Sequence, residues 1–255
     1  MEHEKKVAAA ITSCVLVILG VAGGVHYNLT HVKNTSAVYS GEQPTLKESS
    51  TVNPTPLTDP PRRTSALSDT GHFTVENAHG ESMIQADYDS MPYVTPLNPA
   101  GPQATMTRWV DGWGVPPSQA ENGTVYVLGH AWAQTPLVFN PLSEAVTAAA
   151  LDTDPKTVDT LLYPVYRKST SVLNGSKIHL TDNQGNKRTW VVDDAWMVDK
   201  EQAIDDKDLM DDAQPGRIVL IACSVSGAED LGYNVMVQGH LINESAGPTR
   251  LNLTA

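Results

Sequence analysis

Short apolar runs, each followed by turn chemistry, set the pattern of this chain. Residues 217–223 read Arg-Ile-Val-Leu-Ile-Ala-Cys, uninterrupted and β-branched, and break at Ser224-Val225-Ser226-Gly227. Such a run predicts a buried strand with a thiol at its exit. A second buried strand is predicted over 124–130, entered from the turn pair Asn122-Gly123 and ending Gly129-His130. Shorter strands are predicted over 82–87, 163–166, 177–181 and 189–192, the last two bracketing a turn at 182–186. A final strand is predicted over 233–242. Pro92, Pro96, Pro99 and Pro102 punctuate an extended stretch. Helical signals are confined to Ala-rich 141–150 and a short acidic segment at 200–210. Many strands, short helices and no βαβ alternation predict an all-β barrel or sandwich.

The segment before these strands has a different texture. Residues 7–25 are uncharged and follow Lys5-Lys6, which predicts a helix about 28 Å long, close to the roughly 30 Å hydrocarbon core of a bilayer. The flanking lysines favour a cytoplasmic N-terminus and an exported C-terminal bulk. A cleaved signal peptide is the competing reading. The apolar stretch exceeds the usual signal core of about 7–15 residues, which favours an anchor. Residues 26–72 are rich in Ser, Thr and Pro without hydrophobic periodicity and read as a flexible linker. The expected organisation is a cytoplasmic 1–6, an anchor at 7–25, the linker, a globular domain at 73–245 and a tail at 246–255. The expected location is the cell membrane, with one span and the domain outside.

Composition narrows the partners. The net charge of −12 and the absence of any long basic cluster argue against nucleic acid. The chain has two cysteines, Cys14 inside the predicted span and Cys223 outside it, so the topology predicts that they do not pair. An unpaired exported thiol is expected to be reactive. The aspartates between 193 and 212 offer oxygen ligands for calcium, but no EF-hand spacing is present and a solvated acidic segment is favoured. No cofactor is expected.

An ordinary thiol is only a few per cent ionised at neutral pH, so Cys223 needs a base or a positive neighbour. His130 leaves an apolar strand as Cys223 does, directly after Gly129, and two adjacent strands exiting together would bring them within reach. A strand-end histidine facing solvent is the plain alternative. The short connection between Cys223 and Tyr233 predicts antiparallel neighbours. That pairing delivers Asn234 beside Cys223 and carries His240 about 20 Å away to the far end. An asparagine at a strand start is also an ordinary turn residue.

At this point the chain resembles the sortases, the membrane-anchored cysteine transpeptidases of Gram-positive bacteria. Residues 124–130 followed by Ala131-Trp132 are similar to the family's strand ending Gly-His. Val138-Phe139-Asn140-Pro141-Leu142 resembles its Phe-Ser-x-Leu, and Val219-Leu220-Ile221-Ala222-Cys223 stands in the place of its Thr-Leu-x-Thr-Cys. The resemblance covers about 83–242 and implies a closed β-barrel of about eight strands with a few short helices. It implies a thioacyl intermediate on Cys223, with His130 as acid and base, formed from an LPxTG-like sorting signal on secreted proteins. The acceptor would be an amine of a cell-wall precursor or a pilin lysine. Two positions depart from the pattern: Ala222 replaces a threonine, and Asn234 stands where an arginine is expected. Asn234, with backbone N–H groups, would then hold the oxyanion. Arg188 and Arg217 are the alternatives, Arg217 lying about 20 Å from Cys223 along a regular strand. The departures also fit a sortase-shaped binding module with little or no activity, and the same residues would serve a peptidase that hydrolyses rather than transfers.

Overall fold

The computed structural model of the protein describes residues 67–227 and 229–242. These belong to one of two compact units; the other, Val21–Thr64, lies outside the described residues, as do the expected anchor and the tail. Among the described residues no helix is long and apolar enough to cross a membrane.

Ten strands form a single sheet: β1 (Gly71–Glu76), β2 (Ser82–Pro92), β3 (Met106–Gly114), β4 (Val125–Leu128), β5 (Lys156–Thr157), β6 (Tyr166–Thr170), β7 (Lys177–Asp182), β8 (Lys187–Asp199), β9 (Arg217–Ser226) and β10 (Glu229–Ile242). Two helices, α1 (Asn140–Ala150) and α2 (Lys207–Met210), and 3₁₀ turns at Pro117–Asn122 and Ala203–Asp205 complete the described structure. The strand order is β10-β9-β4-β3-β2-β1-β7-β8, and β8 returns to pair with β10. Eight strands therefore close on themselves, and β6 and β5 continue outward from β8. The expected closed barrel is formed and the sandwich is set aside; closure leaves no unpaired edge in the ring.

Side chains on the two faces of these strands enter two separate clusters. One holds Val127, Leu220 and Val235 with Leu142 and Val146 of α1. The other holds Tyr126, Leu128, Ile221, Met236, Trp196 and Val198, with Leu97 and Leu209 packed among them. Strand β9 is buried on both faces, which is why its sequence is continuously apolar rather than alternating.

Several expected boundaries shift. The first strand begins at Gly71, before the expected domain start at 73, and Leu67 is already packed in the core. Strand β3 was not predicted; Asp111 and Gly112 interrupt its apolar residues, and its pairing with β2 and β4 holds it. The strand expected at 163–166 lies instead at Tyr166–Thr170, and Leu161, Leu162 and Tyr163 form an exposed loop. The acidic 200–210 segment is broken rather than one helix, because the Asp206 carboxylate accepts from the Leu209 N–H and starts α2 afresh.

Candidate active site

The site begins with two strands leaving the barrel side by side. Strands β4 and β9 are parallel neighbours with Leu128 opposite Ile221. The ladder runs one rung beyond β4, where the Gly129 N–H donates to the Ile221 carbonyl at 3.1 Å. His130 therefore leaves level with Cys223. On the other side β10 runs antiparallel to β9, and Asn234 pairs with Cys223. Adjacent strands lie about 4.8 Å apart, so the three backbones form one row across the sheet. Strand alternation puts Cys223 and Asn234 on the same face as Ile221 and Met236. His240 pairs with Arg217 at the opposite end, as the strand arithmetic requires.

His130 is 7% exposed, and its Nε2 lies 2.8 Å from the Pro99 carbonyl. A carbonyl only accepts, so Nε2 carries the proton and the neutral ring keeps its lone pair on Nδ1. Burial pushes the imidazole below its ordinary value of 6.5, and the Pro99 hydrogen bond opposes that push. The ring is thus neutral at neutral pH. A neutral ring with a free Nδ1 lone pair can accept a proton and return it.

Asn234 is fully buried, and among the described residues neither its Nδ2 nor its Oδ1 has a hydrogen-bond partner. Leaving such a group unpaired costs about 1–3 kcal/mol. Both a donor and an acceptor are therefore held, at a cost, opposite Cys223.

Cys223 is 1% exposed and is in a disulfide. The expectation of an unpaired thiol is corrected for this state; Cys14 lies outside the described residues. The expectation rested on the predicted span alone, which lies outside the described residues.

The two alternative arginines are engaged elsewhere. Arg217 Nε donates to Thr124 Oγ1 at 3.0 Å and Nη1 to the Asp208 carbonyl at 2.8 Å. Arg188 donates to Glu121 and to the Ser118 carbonyl. Sequence reasoning missed a third, Arg167 on β6. Arg167 pairs with Val198, which pairs with Asn234, so the row extends to it. Its guanidinium lies 4.0 Å from the Trp196 ring centroid and is held by Asp206 at 2.5 and 2.6 Å and by Asp208 at 3.1 Å. Burial pushes the Asp208 carboxyl up, but hydrogen bonds from Gln214 and Arg167 outweigh it and hold the carboxyl below its usual value. Arg167 is neutralised where it stands. Among the described residues, no three His, Cys, Asp or Glu side chains are grouped to hold a metal ion.

The start of α1 locks the two strand exits together. The Phe139 N–H donates to the His130 carbonyl at 2.8 Å, and a methyl group at Gly129 would lie 2.5 Å from the Phe139 ring. Asn140 closes the intervening loop, accepting from the Trp132 and Leu137 N–H groups at 2.9 and 2.8 Å.

No family model matches this sequence, and no curated protein matches it. Solved structures do. The chain is similar to sortase A of Listeria monocytogenes, at 13% identity, covering 69% of this chain and 89% of that one with a TM-score of 0.42. It is also similar to a lid mutant of sortase A from Corynebacterium diphtheriae, at 14% identity, 74% and 77% coverage and a TM-score of 0.41. A third similar structure is sortase C-1 from Actinomyces oris, at 14% identity, 67% and 73% coverage and a TM-score of 0.39.

Proposed function

We propose that the protein, once Cys223 is reduced, is a cysteine transpeptidase acting on an LPxTG-like sorting signal, as the resemblance of its Gly-His and Ala-Cys strand ends implies. The observation that supports this reading is the single row formed by His130, just past β4, with Cys223 of β9 and Asn234 of β10. Cys223 Sγ passes its proton to His130 Nδ1 and attacks a peptide carbonyl, and the Asn234 Nδ2 donates to the oxyanion. The C–N bond then breaks, the imidazolium gives its proton to the leaving amine, and a thioester remains on Cys223. An incoming amine loses a proton to His130, attacks the thioester and restores the thiol. The acceptor would be a cell-wall precursor amine or a pilin lysine, and the chain would be held at the membrane by 7–25.

A neutral carboxamide is a weaker oxyanion donor than a guanidinium; losing one good donor costs about 2.7–4 kcal/mol in a transition state. Slow turnover is therefore expected. The full chain is reduced, incubated with candidate sorting peptides, and its mass followed for a thioester on Cys223, with and without an added amine. Adduct and amide product support the transferase; adduct with only hydrolysed product converts the reading to a peptidase. No adduct with any peptide, while the fold is intact, removes both.

A second reading has its own observation. All three residues are nearly or fully buried, and Cys223 is in a disulfide, which suits a binding module whose chemistry is closed off. Peptide binding without any adduct after reduction would select it.

A further inference from the structure

The row of His130, Cys223 and Asn234 needs something to hold it where the β4–β9 ladder ends. Strand β4 stops at Leu128 while β9 continues to Ser226, so beyond Ile221 one edge of β9 loses its partner. Had β4 run on, its next rung would have supplied one N–H to the Cys223 carbonyl and one C=O to the Val225 N–H. A single hydroxyl supplies both. Ser143 Oγ donates to the Cys223 carbonyl at 2.7 Å and accepts from the Val225 N–H at 3.0 Å. Ser143 is fully buried, and its own N–H donates to the Phe139 carbonyl at 2.9 Å. Phe139 in turn holds the His130 carbonyl through its N–H.

We infer that Ser143 is the positioning residue of the site: it replaces the missing rung of β4 and fixes the backbone of Cys223 in register with His130. The inference rests on the proposed transpeptidase reading for its catalytic consequence, but the geometry it describes does not. A hydroxyl is the smallest side-chain group that donates and accepts at one atom, so neither Ala nor Val can do this. Buried backbone groups without partners are rarely tolerated, so removing the hydroxyl forces the exit of β9 to shift towards another partner. Misplacing reacting groups by about 1 Å costs on the order of a hundredfold in rate.

The test uses Ser143→Ala, Ser143→Thr and Ser143→Val in the full reduced chain. Thr and Val have nearly equal volume and differ by the hydroxyl, so their comparison removes packing from the result. Ser143→Val is expected to lower kcat by about tenfold to a hundredfold relative to Ser143→Thr, with KM changed less than about twofold. Equal kcat for Thr and Val would overturn the inference. If the wild-type chain forms no thioester, the transpeptidase reading fails by itself. Ser143 is then judged from the pH profile of Cys223 alkylation by iodoacetamide: a displaced midpoint or rate in Ser143→Val but not in Ser143→Thr supports it, and superimposable profiles overturn it.

Discussion

At the scale of single residues, Asn234 is the most informative. A buried carboxamide with both ends unpaired is destabilising, and Leu is close to it in size. Asn234→Leu is therefore expected to raise the thermal midpoint while removing thioester formation on Cys223. Calorimetry beside adduct mass spectrometry measures both, and a variant that loses stability would show that the amide pairs with something in the fold. Asn234 was legible in the sequence as a polar residue delivered beside Cys223, because a short connection forces an antiparallel hairpin. That no described residue partners it was not legible, since that depends on side chains from distant strands. Ser143 was invisible for the same reason: it sits 80 residues from the carbonyl that it holds. A serine after Pro141 in a helical start looks like any other.

At the scale of elements, two covering pieces meet the sheet on the site's face. The connection between β8 and β9 is pinned by Arg167, whose guanidinium spans Asp206 and Asp208. Asp206 is fully buried, so Asp206→Asn leaves Arg167 with one partly exposed carboxylate. Breaking a buried pair of this kind costs about 3–5 kcal/mol, which urea denaturation would read as a lowered midpoint. The other piece is the connection between β2 and β3, which places the Pro99 carbonyl on His130 and buries Leu97 among the same apolar residues as Ile221 and Leu128. Leu97→Ala is expected to loosen that piece and to raise the alkylation rate of reduced Cys223 about tenfold, the effect of roughly 1.4 kcal/mol in the opening equilibrium. An unchanged rate would mean that the thiol is reached by another path. The prolines marked this stretch as extended, but nothing local said that it lies over the histidine. The sequence favours a solvated acidic segment for the aspartates between 193 and 212; Asp206 is instead fully buried, because a β6 arginine too distant in sequence to be associated with it comes to rest there.

At the scale of the molecule, acid should weaken the fold in two steps. Burial lowers the folded-state value of His130, so the unfolded chain takes up this proton first. Its contribution is complete above 6.5 and is lost as pH falls from there through the lower folded-state value. The Asp182 carboxyl is pushed up by burial, but hydrogen bonds from Asn186, Ser68 and Gln184 bring it down to about 2. The stability it adds is present above 3.8 and is lost as pH falls towards about 2. Asp182→Asn should reduce the lower step, to which Asp208 also contributes, and leave the upper one, which denaturation midpoints across pH would resolve. The amino-acid pattern by itself determined that the domain is built of strands and that 217–223 is a buried one, because period and β-branching act locally; the strand expected to break after Cys223 runs on to Ser226, since pairing with β10 carries it past the turn residues. The pattern also fixed the partnership of β9 with β10, because a short connection admits little else. Only the tertiary structure decided that β4 lies parallel to β9 on the other side, that β8 closes the ring onto β10, and that one serine of α1 stands in for the rung where β4 departs. Those are meetings between segments far apart in sequence, and they are chosen by the packing of two buried faces at once rather than by any stretch of the chain alone.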